Sequence, residues 1–140
     1  MSDKILVPSG RTFVYPMIGH PTTQVKSPGT FNNYFREKGI DGVMFTIDVH
    51  PEDANHFFSL LRGWRNCPGC IVTIPHKQEA ARQADELSSR ARDLGAVNVI
   101  RRTEEGRLVG DMVDGLGFVE AHTSKILEAK IAVPVDLRAF

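Results

Sequence analysis

Charge of one sign is scarce in this chain, because 17 lysines and arginines meet 17 aspartates and glutamates and the formal net charge at pH 7 is zero. Nucleic acid and anionic membrane surfaces call for a basic excess, so neither partner is expected, and a small molecule or another protein is left. Long apolar runs are missing as well. None approaches the ~18 residues that span a bilayer. The opening stretch MSDKILVPSGRTFVYPM has no basic segment leading into an apolar one, so a cytoplasmic location is expected. There is no low-complexity tract and no repeat of solenoid period. Cysteine occurs only as Cys67 and Cys70, in NCPGC. C-x-x-C carries redox or zinc chemistry when a helix N-terminus depresses the thiol or a second ligand pair follows at metal spacing. Here the following residues read as a strand, and His20, His50, His56, His76 and His122 are scattered without H-x-x-x-H spacing. The stretch is therefore read as a Pro-Gly turn entering a strand.

What the chain does have is alternation of strand and helix patterns within a length suited to one domain. RTFVYPMIG (11–19) is a β-rich run closed by Gly19 and Pro21. Ser27 followed by Pro28 reads as an N-cap with proline at the first helical position, opening a helix with Phe31, Tyr34 and Phe35 at helical spacing and Gly39 as its stop. GVMFTIDV (42–49) is nearly continuously apolar, as in a strand covered on both faces. PEDANHFFSLLRGWRN follows as a helix with acidic residues in its first turn and Phe57, Leu60, Leu61 and Trp64 on one stripe. CIVTI is the third strand. KQEAARQADELSSRARDLG reads as helix broken near Ser88 and Ser89, and EEGR as the hairpin turn inside AVNVIRRTEEGRLVGDMV. A last helix is expected over residues 117–128. The fold class is α/β: a mixed, mainly parallel sheet flanked by helices on both faces.

In such sheets ligands bind outside the carboxyl ends of the strands. TTQVKS, PHK, the Asn98 region and DMVDG all leave strand ends there, and they put Lys77 at the mouth of the sheet. A cation in a helix's first turn opposes the macrodipole, which makes Lys77 an unusual choice for a purely structural position.

GHPTTQVKSPGTFNNYF, GCIVTIPHK, LGAVNVI and LVGDMVDGLGF come in the order and approximate spacing of four blocks of the shikimate dehydrogenase family. T-x-P-x-K, then G-A-V-N, then G-x-x-x-D-G-x-G is a specific combination. The resemblance runs from about Met17 to Phe118 and is to the N-terminal, substrate-binding domain. It implies an enzyme of aromatic amino acid biosynthesis that interconverts a cyclic hydroxy acid and its keto form with NADP. It also implies a lysine and an aspartate beside the reacting hydroxyl, carried here by Lys77 and Asp114, and contacts to the substrate's carboxylate or ring hydroxyls from Ser27, Thr73 and Asn98. A lysine whose protonation is tuned by an aspartate can take up the hydroxyl proton while holding the alkoxide. Gly115 and Gly117 read equally well as helix-entry glycines and as points of close backbone approach to a ligand.

Several positions depart from the family pattern. H-S-x-S-P becomes Gln24, Val25, Lys26, Ser27, Pro28; N-V-T becomes Ile71, Val72, Thr73; the asparagine-threonine pair before the aspartate becomes Met112, Val113; and the threonine after G-A-V-N becomes Val99. Val25 and Ile71 thus replace polar groups at the polyol site, and unpaired substrate hydroxyls there would cost ~1 to 3 kcal/mol each. A less hydroxylated cyclic acid than shikimate is expected. No glycine follows Gly117, so no G-x-G-x-x-G turn can form after it and this chain is expected to bind no NADP itself. The expected organisation is a substrate-binding and catalytic domain over residues 1–128 and a tail over 129–140. An excised or truncated domain fits that organisation, and so does a stand-alone module that binds a small molecule without redox chemistry; the retained Lys77 and Asp114 favour the first. A homodimer is left open.

Overall fold

A computed structural model describes residues 7–113. The element order is β1 (Phe13–Gly19), α1 (Ser27–Lys38), β2 (Gly42–Asp48), a 3-10 turn (Pro51–Asp53), α2 (Ala54–Gly63), β3 (Gly69–Val72), α3 (Lys77–Gln83), β4 (Glu86–Leu87), α4 (Ser89–Leu94), β5 (Val99–Arg102) and β6 (Leu108–Asp111). The six strands form one sheet in the order β2-β1-β3-β5-β6-β4. β1 runs parallel to β2 and β3, β4 parallel to β6, and β5 antiparallel to both its neighbours. Among the described strands only β5 is reversed, so the carboxyl ends of the other five share an edge with the start of β5. The mixed, mainly parallel sheet read from the sequence is the one present. The expected helix over 117–128, Asp114 and the tail lie outside the described residues.

Helices cover both faces. On one face α1 packs Phe35 over Tyr15 of β1 and Met44 of β2, with Tyr15 and Phe35 ring centroids 5.3 Å apart. On the other, Phe57, Phe58 and Leu61 of α2, Ala80 of α3 and Ala91 of α4 close over Ile18, Val72 and Ile100. The helical stripe of α2 differs from the expected one. Phe58 is fully buried while Leu60 is 62% exposed, because the helix starts at Ala54 after the 3-10 turn, and the face toward the sheet is set by Ala54, Phe57, Phe58 and Leu61. Edge strand β2 is guarded by α1: Asn32 Nδ2 donates to Met44 O at 2.8 Å, and Met44 N donates to Asn32 Oδ1 at 2.8 Å. A main-chain unit that could template another strand is thereby occupied.

Two helix boundaries correct the sequence reading. The N-cap of α1 is Lys26, without a side-chain cap, and Ser27 is the first helical residue. The turn in which Val25 N donates to Thr22 O at 3.0 Å has already brought the chain into helical curvature by Lys26. The break near Ser88 is real and sharper than a kink. Ser88 caps α4 by accepting from Ala91 N at 3.1 Å, and two residues of strand, Glu86 and Leu87, intervene after α3. The hairpin turn at EEGR forms as expected. Gly106 has φ 85°, and a Cβ there would lie 2.6 Å from Arg62 O, so both backbone and space require glycine.

Cys67 and Cys70 are buried free thiols at the entry to β3. Burial pushes Cys67 up to about 12 and raises Cys70 well above the ordinary thiol range. Reactive cysteines need the opposite shift.

Candidate functional site at the carboxyl edge of the sheet

β3 ends at Val72, and the chain then crosses the sheet edge through Thr73, Ile74, Pro75 and His76 into α3. Thr73 still touches the sheet, its N–H donating to Ile18 O at 2.9 Å, and His76 N donates to Thr73 O at 3.0 Å. His76 is 1% exposed, with Nε2 2.7 Å from Val49 O. A carbonyl only accepts, so Nε2 carries the proton, and His76 ties this turn to the chain leaving β2. Lys77 is the next residue and the first of α3. It is half-buried, and its carbonyl accepts from Val97 N at 2.9 Å. Asn98 follows, bonded through its main chain to both neighbours, with Val72 N donating to Asn98 O at 2.8 Å and Asn98 N donating to Asp111 O at 3.0 Å. Thr73, Lys77 and Asn98 are thus drawn to one edge by the reversed strand β5.

The side chain of Asn98 holds Val113. Nδ2 donates to Val113 O, and Val113 N donates to Oδ1 at 2.9 Å. Asp111 secures the start of the same segment. It is 1% exposed and accepts from Ser88 Oγ at 2.6 Å, Arg90 Nε at 2.8 Å, Arg90 Nη2 at 2.7 Å and Met112 N at 2.7 Å. Burial pushes its carboxyl up, but the Arg90 and Ser88 hydrogen bonds outweigh burial and hold it below the usual carboxylate value. A carboxyl depressed in the folded state contributes stability above its unfolded pKa and loses it as pH falls through the folded one. Arg90→Ala is therefore expected to cost about 2 to 3 kcal/mol at pH 7, less than a fully buried pair because Arg90 is 55% exposed. The loss should shrink as pH falls through the acid range. Urea unfolding at pH 7 and pH 3 checks it, and an equal loss at both would remove the ion pair from the explanation.

The loop between β1 and α1 brings in Val25 and Ser27, both half-buried. Asp48, at the end of β2, holds that loop. One oxygen lies 2.7 Å from His20 Nδ1 and the other accepts from Thr22 N at 3.2 Å. The His20 hydrogen bond keeps Asp48 below the ordinary carboxylate range. Its role was not read from the sequence, where it sits inside the run GVMFTIDV taken as a strand.

Ile71 stands apart from this group. It pairs with Met17 and Val99 across the sheet and packs against the Tyr15, Phe35 and Met44 cluster, whereas Met112 packs in the cluster on the opposite face. The two apolar replacements do not line one surface. A cleft walled by Tyr15, Met44, Ile71, Val99 and Arg101 runs on the α1 face and includes none of Ser27, Thr73, Lys77 or Asn98.

Among the described residues, no group of three or more His, Cys, Asp or Glu is placed to hold a metal ion. The turns from β1 to α1, from β2 to the following helical turn, and from β3 to α3 carry no glycine after the strand end. These residues do not fit a dinucleotide phosphate. No helix among them is long and apolar enough to cross a membrane.

Comparison with known proteins agrees with this geometry. Residues 17–100 match the family model for the shikimate dehydrogenase substrate binding domain. The chain is 38% identical over 112 residues to the shikimate dehydrogenase (NADP(+)) of Rhodospirillum rubrum, covering 80% of this chain and 39% of that protein. It resembles the crystal structure of the shikimate 5-dehydrogenase of Listeria monocytogenes in complex with shikimate and NAD, with a TM-score of 0.76 and 27% identity over 88% of this chain and 42% of that one. A crystal structure of a shikimate dehydrogenase in complex with NADP+ gives a TM-score of 0.73 and 34% identity over 89% of this chain and 41% of that one. This chain thus spans about two fifths of the length of the relatives it matches. A sheet with one reversed strand, T-x-P-x-K at the turn leaving β3 and G-A-V-N at the turn entering β5 occur together because the chain belongs to the shikimate dehydrogenase family, in its substrate-binding domain.

Proposed function

We propose that this chain is the substrate-binding part of an NADP-dependent oxidoreductase that interconverts a cyclic hydroxy acid and its keto form. The observation that carries the reading is the linkage at the carboxyl edge: Lys77 O accepts from Val97 N, and the neighbouring Asn98 holds Val113, the residue before Asp114. A hydroxyl bound there meets Lys77 as acid/base, with Asp114 as the group that orients it. Dehydrogenating a secondary alcohol removes a hydride and the hydroxyl proton. The proton half falls to this chain, passing from the hydroxyl oxygen to Lys77 Nζ, where the cation also stabilises the developing alkoxide. Ser27 and Thr73 anchor the carboxylate. The strand-to-helix turns described carry no glycine-rich phosphate loop, so we assign these residues the proton half alone. Titrating the chain with shikimate and with a cyclohexene carboxylic acid bearing a single ring hydroxyl tests the reading; saturable binding of at least one supports it, and binding of neither would defeat it.

The apolar replacement beside Ser27 gives the substrate class its direction. Val25 is half-buried in the loop before Ser27. It cannot hydrogen-bond a ring hydroxyl, so the singly hydroxylated ring should bind in preference to shikimate. Val25→Ser is expected to raise shikimate affinity ~2- to 10-fold, since one regained hydrogen bond is worth ~0.5 to 1.5 kcal/mol net. Titration of the parent and the variant in one buffer reads the change. No gain would show that this position does not set selectivity.

A further inference from the structure

The turn that carries Lys77 has little packing of its own. Ile74 is 70% exposed, Pro75 is exposed and Lys77 half-buried, and between Val72 and Ala80 the one buried residue is His76. Its ring fastens the turn to the sheet with a polar group, where an apolar side chain of similar size would fill the space without desolvating a donor. What the ring adds is direction. Nε2–H donates to Val49 O at 2.7 Å, and Val49 N donates to Gly19 O at 3.0 Å, so the exit of β2 is bonded to the end of β1 and to the turn leaving β3. The residue before Val49 is Asp48, whose carboxylate holds His20 and Thr22 N in the loop leading to Ser27. Two adjacent residues thus brace both ends of the site, Asp48 the Ser27 loop through its side chain and Val49 the Lys77 turn through its carbonyl.

We infer that His76 is a positioning residue for Lys77: the bond from its ring to Val49 fixes the turn that carries Lys77 relative to the loop that carries Ser27, so that one cyclic acid reaches both. The inference rests on the functional reading above for its link to substrate, and on the Val49 bond for its geometry. Val97 N holds Lys77 from its carbonyl side at 2.9 Å, and His76 sets the chain on its amide side. Thr73 supplies a contrast within the same turn. Its own N–H donates to Ile18 O at 2.9 Å, a tie to the sheet that does not pass through the His76 ring. Losing the ring bond should therefore disturb the hydroxyl end of the ligand and spare the carboxylate end.

The experiment titrates the 140-residue chain by calorimetry with two probes, a cyclohexene carboxylic acid bearing a single ring hydroxyl and the same acid without it. His76→Leu keeps bulk and loses the donor, whereas His76→Gln keeps a donor at similar reach. His76→Leu is expected to weaken the hydroxylated acid by ~10-fold and the other by less than ~2-fold, with His76→Gln within ~3-fold of the parent for both. In a Lys77→Ala background His76→Leu should cost less than ~2-fold, because the turn then has no cation to place. No loss, equal losses for both acids, no rescue by glutamine, or the same loss in the Lys77→Ala background would each overturn the inference. If His76→Leu does not fold, His76→Asn takes its place, since its amide is one methylene shorter than that of glutamine and falls short of Val49 O. Residual dipolar couplings of the Lys77 amide, which read its orientation against the sheet, need no ligand. They should change in His76→Leu and return in His76→Gln. If the parent binds neither acid, the functional reading alone fails and the couplings decide: unchanged in His76→Leu, they overturn the positioning role.

Discussion

Lys77→Ala, in a form of the protein complete for its cofactor, is expected to lower turnover by ~10² or more, the usual worth of a positioned acid/base. The fold should survive. Lys77 contributes its main chain to the structure by accepting from Val97 N, a bond that alanine keeps, and alanine is a better helix former at the start of α3. The expected result is therefore a variant with unchanged circular dichroism and melting temperature and a collapsed rate. Turnover within a few-fold of the parent would take Lys77 out of the chemistry and leave it as a half-buried lysine that happens to start a helix.

Phe58→Ala should have the largest effect on stability. Phe58 is fully buried between α2 and the sheet, in edge contact with Phe57 at 5.2 Å between ring centroids. Emptying that space removes the transfer free energy of the ring and leaves a cavity, at a cost of ~3 to 5 kcal/mol. Domains of this size are stable by only ~5 to 15 kcal/mol, so the variant would be near unfolding at moderate temperature. Leu60→Ala is the control. Leu60 is 62% exposed, and its truncation should stay within ~0.5 kcal/mol. Urea unfolding of the two variants measures the contrast, and similar losses from both would contradict the packing of α2 described here.

The consequences reach the site because α2 and α3 share one core. Ala80 of α3 is fully buried in the cluster that contains Phe58, and Lys77 lies one turn earlier on the same helix. A cavity beneath α2 would loosen the support under the turn at Thr73 to Lys77.

Much of this architecture was legible because hydrophobic period and turn chemistry are local properties. The continuous apolar runs of β1 and β2, the glycine stop at Gly39 and the EEGR hairpin all follow from residues adjacent in the chain. What was not legible depends on partners far away in sequence. β4 has two residues and no period of its own; it exists because Glu86 and Leu87 pair with Val109 and Gly110. The buried face of α2 shifted from Leu60 to Phe58 because a 3-10 turn sets where the helix begins. Within the site, Thr73 and Lys77 could be placed from the strand that precedes them. The bonds of Asn98 to Val113, of Asp111 to Arg90, and of Asp48 to His20 join residues 15, 21 and 28 positions apart, and no pattern in any one segment announces them.

The central claim is that a cyclic hydroxy acid binds at the carboxyl edge, between the Ser27 loop and the start of α3. Titration of the isotope-labelled chain with the singly hydroxylated cyclohexene carboxylic acid and with shikimate, followed by amide chemical shifts, tests it most directly. The account predicts saturable shifts at Ser27, Thr73 and Lys77, with tighter binding of the less hydroxylated acid and weaker binding in Lys77→Ala. Shifts confined to Tyr15, Met44 and Arg101 would place the ligand in the cleft on the α1 face, and that result, or no saturable shift with either acid, would contradict the account.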